Sequence, residues 1–334
     1  MTPADPTKIF VTFWGTRGSI STPGTSTEKY GGNTPCISVR FEETDIILDA
    51  GTGIRNLGLE LVQQAKEQNA KLDFHLFLSH THWDHIQGLP FFAPAYMGDT
   101  KLAIYGSPKK GKFLEGILQG QMDINYFPVE MNALAADLSI SEISKEKIQI
   151  GSVTVDWQEQ VCHPGGSVRY VLNAAGKKVV YATDVELDEI FGSNILPPSR
   201  ADKNPSKSNR TQSSPTLSGK PRSGSGRISM DSEEIKALAQ EYCDFVRDAD
   251  LLIADGQYTE EEYPFRAGWG HTSIPVILDI AHQQNIKQLA IFHHEPQHSD
   301  MMLDKLWSQY NPKYRSAKPS MNIFWAREGM TLAI

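Results

Sequence analysis

Residues 78–90 read LSHTHWDHIQGLP, which places His80, His82, Asp84 and His85 within six positions. The stretch follows directly on LDFHLFLS (72–79), an apolar run with the length and composition of a strand. If that strand continues through His82, then His80 and His82 point to the same side and can pinch one cation. Asp84 and His85 follow where the chain turns into a helix, and they can face a neighbouring position. Imidazole nitrogen and carboxylate oxygen suit zinc and related first-row metals. Two cations about 3.5–4 Å apart form the usual hydrolytic two-metal arrangement. A chain that folds around this turn must bring further ligands to it from elsewhere.

The rest of the 334 residues has to supply a core for such a site, and 40% hydrophobic with 22% charged residues is ordinary globular usage. A net charge of −8 argues against a general polyanion binder held by charge alone. Bound cations would still allow action on a phosphate ester. Cys36, Cys162 and Cys243 are far apart and show no CxxC spacing, which suits buried thiols in a reducing cytoplasm. No apolar segment reaches the roughly 18 residues of a spanning helix, so the expectation is a cytoplasmic protein without a membrane partner.

Strands are expected at 8–14, 36–41, 45–51, 72–79 and 101–106, with helices at 54–68 and near 109–120. Strands then cluster at 148–163, 167–173 and 177–184. Later come a helix at 231–247 opened by Asp-Ser-Glu-Glu, a strand at 250–256, a helix at 273–285, a strand at 286–294, a helix near 299–309 and two final strands. Residues 199–227 interrupt this pattern. They carry Arg200, Lys203, Lys207, Arg210, Lys220, Arg222 and Arg227 against Asp202 alone, a local +6 almost devoid of large apolar side chains. Such a segment cannot bury enough apolar surface to offset its ordering entropy. It reads as a disordered basic insertion within one domain spanning 1–334.

Further elements extend the turn's resemblance. SHTHWDHIQGLP is similar to the signature of the metallo-β-lactamase superfamily of hydrolases, and CHPGGSVRYVL, VVYATDVE and QLAIFHHEP resemble its downstream elements. The resemblance implies an α/β fold, a four-layer αβ/βα sandwich with metals where strand-end loops converge. It implies His80, His82 and His163 around one metal, Asp84, His85 and His293 around a second, and Asp184 joining them. Cys162, beside His163 in an expected strand, should point to the opposite face. His293 and His294 are adjacent and diverge; the resemblance favours His293 as the ligand and leaves His294 near the substrate. The ions would be two divalent metals, zinc foremost, with manganese or iron compatible in ligand type.

Within the superfamily, His82 stands where the flavodiiron oxidoreductases usually carry glutamate, which favours hydrolysis. FWGTRGSISTPG and YGGNTPCISV look like the N-terminal loops of the tRNase Z and phosphodiesterase branch, with backbone N–H groups able to cradle an anion. Arg17, Ser19 and Asn33 are their candidate substrate contacts. LLIADGQYTEEEY and WGHTSIPVILDIA resemble the segment in which that branch places an acid and then a histidine, here Asp255 and His271. A carboxylate beside an imidazole fixes its tautomer and raises its pKa, and such a histidine could protonate a leaving alkoxide. Asp84 would help orient the attacking water.

The expected activity is metal-dependent cleavage of a phosphodiester: a cyclic nucleotide, another small phosphodiester or RNA. Hydrolysis of a carbon ester, thioester or lactam on the same metals is the alternative, and a non-catalytic binding protein the third reading. The long arm that tRNase Z places between the third histidine and the bridging aspartate is missing here, which puts pre-tRNA cleavage in doubt. Dimerisation is common in the branch. His75 and His282 read as structural or surface residues, and His298 as a neighbour of the pocket mouth.

Overall fold

The computed structural model describes residues 7–107, 112–144, 146–195, 230–317 and 319–334. The expected basic insertion at 199–227 lies outside them. The first half opens with β1 (Phe10–Gly15), β2 (Cys36–Phe41), β3 (Thr44–Leu48), α1 (Ile54–Gln68), β4 (Leu72–Phe77), the short α2 (Trp83–Ile86), β5 (Thr100–Gly106), α3 (Leu114–Gln121) and β6 (Asp137–Glu142). Next come β7 (Ile148–Ile150), β8 (Val153–Gln160), β9 (Ser167–Ala174), β10 (Lys177–Ala182) and α4 (Leu187–Ile195). After the insertion follow α5 (Ser232–Val246), β11 (Leu251–Asp255), α6 (Ile274–Gln283), β12 (Gln288–Phe292), α7 (Asp300–Ala317), β13 (Asn322–Trp325) and β14 (Thr331–Ala333).

Among the described residues the strands form two seven-stranded sheets, ordered β14-β1-β2-β3-β4-β5-β6 and β13-β12-β11-β10-β9-β8-β7. Each is mixed. In the first, β1 pairs antiparallel with β14 and β2, and β3 through β6 run parallel. In the second, β7 through β10 are antiparallel neighbours and β10 through β13 run parallel. Period-two alternation sends one face of each strand inward. Val11 and Phe13 of β1 are buried while Phe10, Thr12 and Trp14 are half-exposed.

The inward faces meet in a core that joins Val11, Phe13, Val39 and Leu48 of one sheet to Tyr170, Leu172, Tyr181 and Phe292 of the other. The outer face of the first sheet packs on α1 and α3 through Ile47, Leu57, Leu61, Phe74 and Leu114. That of the second packs on α4 to α7 through Val180, Tyr242, Ile277 and Leu306. The order is helix, sheet, sheet, helix, the αβ/βα sandwich the resemblance implies.

Local chemistry sets the helix ends. On α1, Ile54, Leu57, Leu61 and Ala65 repeat at helical spacing, and Asn69 closes it in the left-handed conformation with its N–H on the Ala65 carbonyl. On α5, Asp231 accepts from the Glu233 and Glu234 backbone while the Glu234 side chain reaches back, a capping box. The expected strand at 148–163 is two strands, because Gly151 at φ 53° turns the chain into a hairpin. β4 stops at Phe77, so the expectation of a strand through His82 is corrected: the histidines stand on irregular chain beyond the strand end.

Candidate metal centre

The site assembles at the carboxyl ends of strands from both sheets, where the loops of an α/β sandwich converge. Asp49 follows β3, His80 and His82 follow β4, His163 follows β8, Asp184 follows β10, Asp255 ends β11 and His293 follows β12. Asp49, Asp184 and His293 have φ of 60°, 53° and 59°. Non-glycine residues take this left-handed conformation only when the surroundings fix it, at a cost of roughly 1 kcal/mol or more. Here each turns sharply off a strand and aims its side chain back at the same point. Glycine is required beside it: a Cβ on Gly18 would lie 2.4 Å from His293 Nδ1.

Two ligand-like sets result. His80, His82 and His163 form one, and Asp84, His85, Asp184 and His293 the other. Asp184 reaches both. Its Oδ1 lies 3.4 Å from His85 Nε2 and 3.3 Å from His293 Nε2, and its Oδ2 lies 3.6 Å from His80 Nε2 and 3.9 Å from His163 Nε2. Asp84 Oδ2 is 3.3 Å from His85 Nε2 and 3.2 Å from His293 Nε2, and it accepts the Ser19 backbone N–H at 2.8 Å.

The far nitrogen of several imidazoles is already committed. His85 Nδ1 donates to Asp49 Oδ2 at 2.7 Å, His163 Nδ1 to the Gly270 carbonyl at 3.0 Å and His293 Nδ1 to Gln257 Oε1 at 2.9 Å. Such partners fix the tautomer and leave Nε2 as the lone-pair nitrogen. Nε2 of His80 and of His85 is buried with no hydrogen-bond partner among the described residues, while His163 Nε2 and His82 Nδ1 face each other at 3.1 Å. Buried imidazole lone pairs without donors, converging with two carboxylates, are what a cationic occupant requires. The residues therefore fit divalent metal. Burial drives the pKa of His80 well below its ordinary value and that of His163 to about 3, which keeps both neutral.

Beside this cluster His271 Nδ1 donates to Asp255 Oδ2 at 2.8 Å, and the His271 ring stacks on that of His293 with centroids 4.9 Å apart. Burial lowers the His271 pKa, but the Asp255 carboxylate outweighs it and lifts the pKa to about 9. The loop before His271 hangs on buried Glu186, which accepts from the Gly268 and Gly270 N–H groups and from the Tyr263 hydroxyl.

The expected ligand positions His80, His82, Asp84, His85, His163, Asp184 and His293 are thus brought together, with Asp255 and His271 against them. The proposed substrate contacts fare differently. Arg17 is 0% exposed and gives its guanidinium to the backbone carbonyls of Gly31, Glu295 and His298. Asn33 bonds the Glu328 carboxylate through both its backbone N–H and its side-chain amide. His294 is buried, donates Nε2 to the Ala326 carbonyl and packs on Tyr30 and Trp325. Arg17 thus spends its guanidinium inside the protein, whereas buried His294 Nδ1 has no hydrogen-bond partner among the described residues. Arg17→Lys should then cost about 3 kcal/mol in urea unfolding, since an ammonium cannot replace a fork that reaches three carbonyls. Unchanged stability with a raised KM for a phosphodiester would restore the phosphate contact.

His75 stacks on Tyr105, His298 donates to Glu262, and Cys162 packs into the helix-side core. The sequence reading missed Asp49. Its carboxylate accepts from His85, from the Ser79 N–H and hydroxyl, and from the Tyr181 hydroxyl. The signal was a lone acid closing the apolar run DIIL before a Gly-Thr-Gly turn. Asp49→Asn should loosen zinc roughly 10- to 100-fold, the usual scale for an outer partner of a metal-binding histidine. Chelator competition measures this, and an unaltered affinity would remove the role.

Comparison with known proteins places this geometry. The model of the β-lactamase superfamily domain matches residues 44–195. Ribonuclease Z of Methanococcus maripaludis strain C6 is 33% identical over 150 residues, 43% of this chain and 44% of the relative. The chain thus spans under half the length of that relative. Ribonuclease Z of Thermoplasma volcanium is 23% identical over 316 residues, 92% of this chain and 95% of the relative. The crystal structure of unliganded yeast PDE1 superposes with a TM-score of 0.61 at 16% identity, covering 98% of this chain and 99% of that one. With the fold shared along its length and Asp184 between two histidine sets, this chain has the metallo-β-lactamase fold, and its residues 44–195 resemble the β-lactamase superfamily domain.

Proposed function

We propose that this protein is a divalent-metal-dependent hydrolase that cleaves phosphodiester bonds. The observation that carries the reading is Asp184, whose two oxygens face different histidine sets at 3.3–3.9 Å. His80, His82 and His163 would hold one ion, Asp84, His85 and His293 a second, and Asp184 both, zinc suiting the ligand types with manganese or iron as substitutes. Bound there, the ions supply Lewis acidity toward a phosphoryl oxygen and bring the ionisation of water near neutral pH.

The chain's own residues do the rest. Asp84, held by the Ser19 N–H, offers an acceptor that orients the attacking water. Asp255 fixes the His271 ring, so Nε2 is the nitrogen left to give a proton to the departing alkoxide. Ser19, exposed at the turn after β1, remains as a contact for the substrate. Between His163 and Asp184 lie only β9, β10 and their turns, which favours a small phosphodiester over a gripped tRNA. Cys36, Cys162 and Cys243 are all free, in keeping with the cytoplasm, and no described helix is long and apolar enough to cross a membrane.

The test is a screen of metal-loaded protein on bis-p-nitrophenyl phosphate and cyclic nucleotides beside nitrocefin and S-lactoylglutathione. Turnover of the first group above the second is expected. Preference for the lactam or thioester would replace this reading with the carbon-ester one.

A further inference from the structure

Behind the second histidine set stands a hydrogen-bonded line that the proposed reaction does not use. His293 Nδ1 lies 2.9 Å from Gln257 Oε1, and Gln257 Nε2 donates to Glu295 Oε2 at 2.7 Å. Gln257 is buried and Glu295 half-buried. Gln257 follows β11 and Glu295 follows β12, which are parallel neighbours in the second sheet. Arg17 donates to the Glu295 carbonyl at 3.0 Å and to the His298 carbonyl at 2.8 Å, so the backbone that carries this carboxylate is pinned. The Gln257 backbone N–H meanwhile donates to Asp255 Oδ1 at 3.0 Å, and the other oxygen of that carboxylate meets His271.

A primary amide has a donating end and an accepting end, and its partners decide which way it lies. His293 cannot decide, because a neutral imidazole presents either an N–H or a lone pair at Nδ1 according to its tautomer. Glu295 can, because a carboxylate oxygen only accepts. It draws Gln257 Nε2 to itself and leaves Oε1 toward His293. An accepting Oε1 keeps the ring proton on Nδ1, so the lone pair is on Nε2. That nitrogen lies 3.2 Å from Asp84 Oδ2 and 3.3 Å from Asp184 Oδ1, inside the second ligand set. With the amide turned over, an N–H would face Nδ1, the ring proton would move to Nε2, and that nitrogen could not ligate. The Ser19 hydroxyl, 3.5 Å from Gln257 Nε2, is too distant to set the direction.

We infer that Glu295 is a positioning residue of the metal centre: by orienting the Gln257 amide, it dictates which nitrogen of His293 is offered to the second ion. The inference rests on the metal-dependent reading for that ion and not on which bond is cut. It also gives buried Arg17 a part, that of holding the backbone at Glu295.

The experiment is zinc affinity by chelator competition, with His293→Ala identifying the constant that belongs to the second ion. Glu295→Gln should loosen that ion about three- to tenfold. This is short of the roughly 10- to 100-fold for losing an outer partner outright, because the Gln257 amide then turns freely instead of vanishing. Combining Glu295→Gln with Gln257→Glu should bring the affinity back to within about twofold of wild type. The carboxylate then accepts from His293 Nδ1, and the amide at 295 donates to it, so every hydrogen-bond direction toward the ring is restored. Urea unfolding of the zinc-free variants should match wild type. Wild-type affinity in Glu295→Gln overturns the inference. So does a loss that the combined variant fails to recover, or one that comes with earlier unfolding, since packing would then carry it. The expected zinc pattern in a protein that cuts no phosphodiester keeps Glu295 in this role and removes the proposed reaction. Phosphodiester turnover with zinc affinity indifferent to Glu295 does the reverse.

Discussion

Asp184→Ala is expected to lower turnover of bis-p-nitrophenyl phosphate by about 10³-fold or more, the scale of losing a preorganised group that acts on the developing charge. Metal content should fall with it, because this carboxylate is the one side chain shared by both histidine sets. Alanine alone confounds two effects: Asp184 sits at φ 53°, where a Cβ without a polar side chain is strained. Asp184→Asn separates them. Asparagine tolerates the left-handed conformation and keeps the Thr183 hydroxyl contact possible, yet brings no charge to the cations. If both variants lose metal and activity while asparagine unfolds near wild type, the charge carries the effect. Metal content by elemental analysis and full activity in Asp184→Asn would show that the two sets do not depend on this bridge.

The same residue shows how far the sequence could be read. HTHWDH announced itself, because four ligand-type side chains beside a strand have few other uses. His163, Asp184 and His293 are lone residues in separate segments, and they became legible only through the resemblance of their surroundings. Choosing His293 over His294 likewise came from the pattern, and the two side chains diverge in the structure. His293 turns back at φ 59° into the cluster, while His294 continues into the packing around Trp325. Periodicity found α1 from Ile54 to Gln68 because its apolar positions repeat cleanly. It passed over β6, whose DLSISE alternates on a half-buried face with acids at both ends.

Arg17 marks the limit of reading residue type as function. A lone arginine in a Gly/Ser/Thr loop resembles a phosphate contact, and nothing local says that three distant carbonyls, from Gly31, Glu295 and His298, will claim it. Asp49 is the reverse case. It looked like the end of a strand, and it is the buried acceptor behind His85, Ser79 and Tyr181. Both cases share a cause: what a polar side chain does depends on which buried donors and acceptors the topology brings to it, and that is set by pairing between residues far apart in the chain.

His271→Ala separates a proton donor from a structural histidine through the leaving group. p-Nitrophenolate departs without a proton near neutral pH, so bis-p-nitrophenyl phosphate should lose at most about tenfold in kcat. A nucleoside alkoxide needs its proton, so a 2′,3′-cyclic nucleotide should lose about 10²- to 10⁴-fold, the usual contribution of a positioned general acid. Asp255→Asn should follow the same pattern more weakly, because the amide still meets His271 Nδ1 while the carboxylate that favours the imidazolium is gone. His271 also stacks on His293 at 4.9 Å, so a purely structural role is a real competitor. That role makes a different forecast: both substrates would fall together, and metal content with them, as His293 lost its neighbour. Equal losses on the two substrates would therefore move His271 from proton donor to support for the second histidine set, and the leaving alkoxide would need another acid.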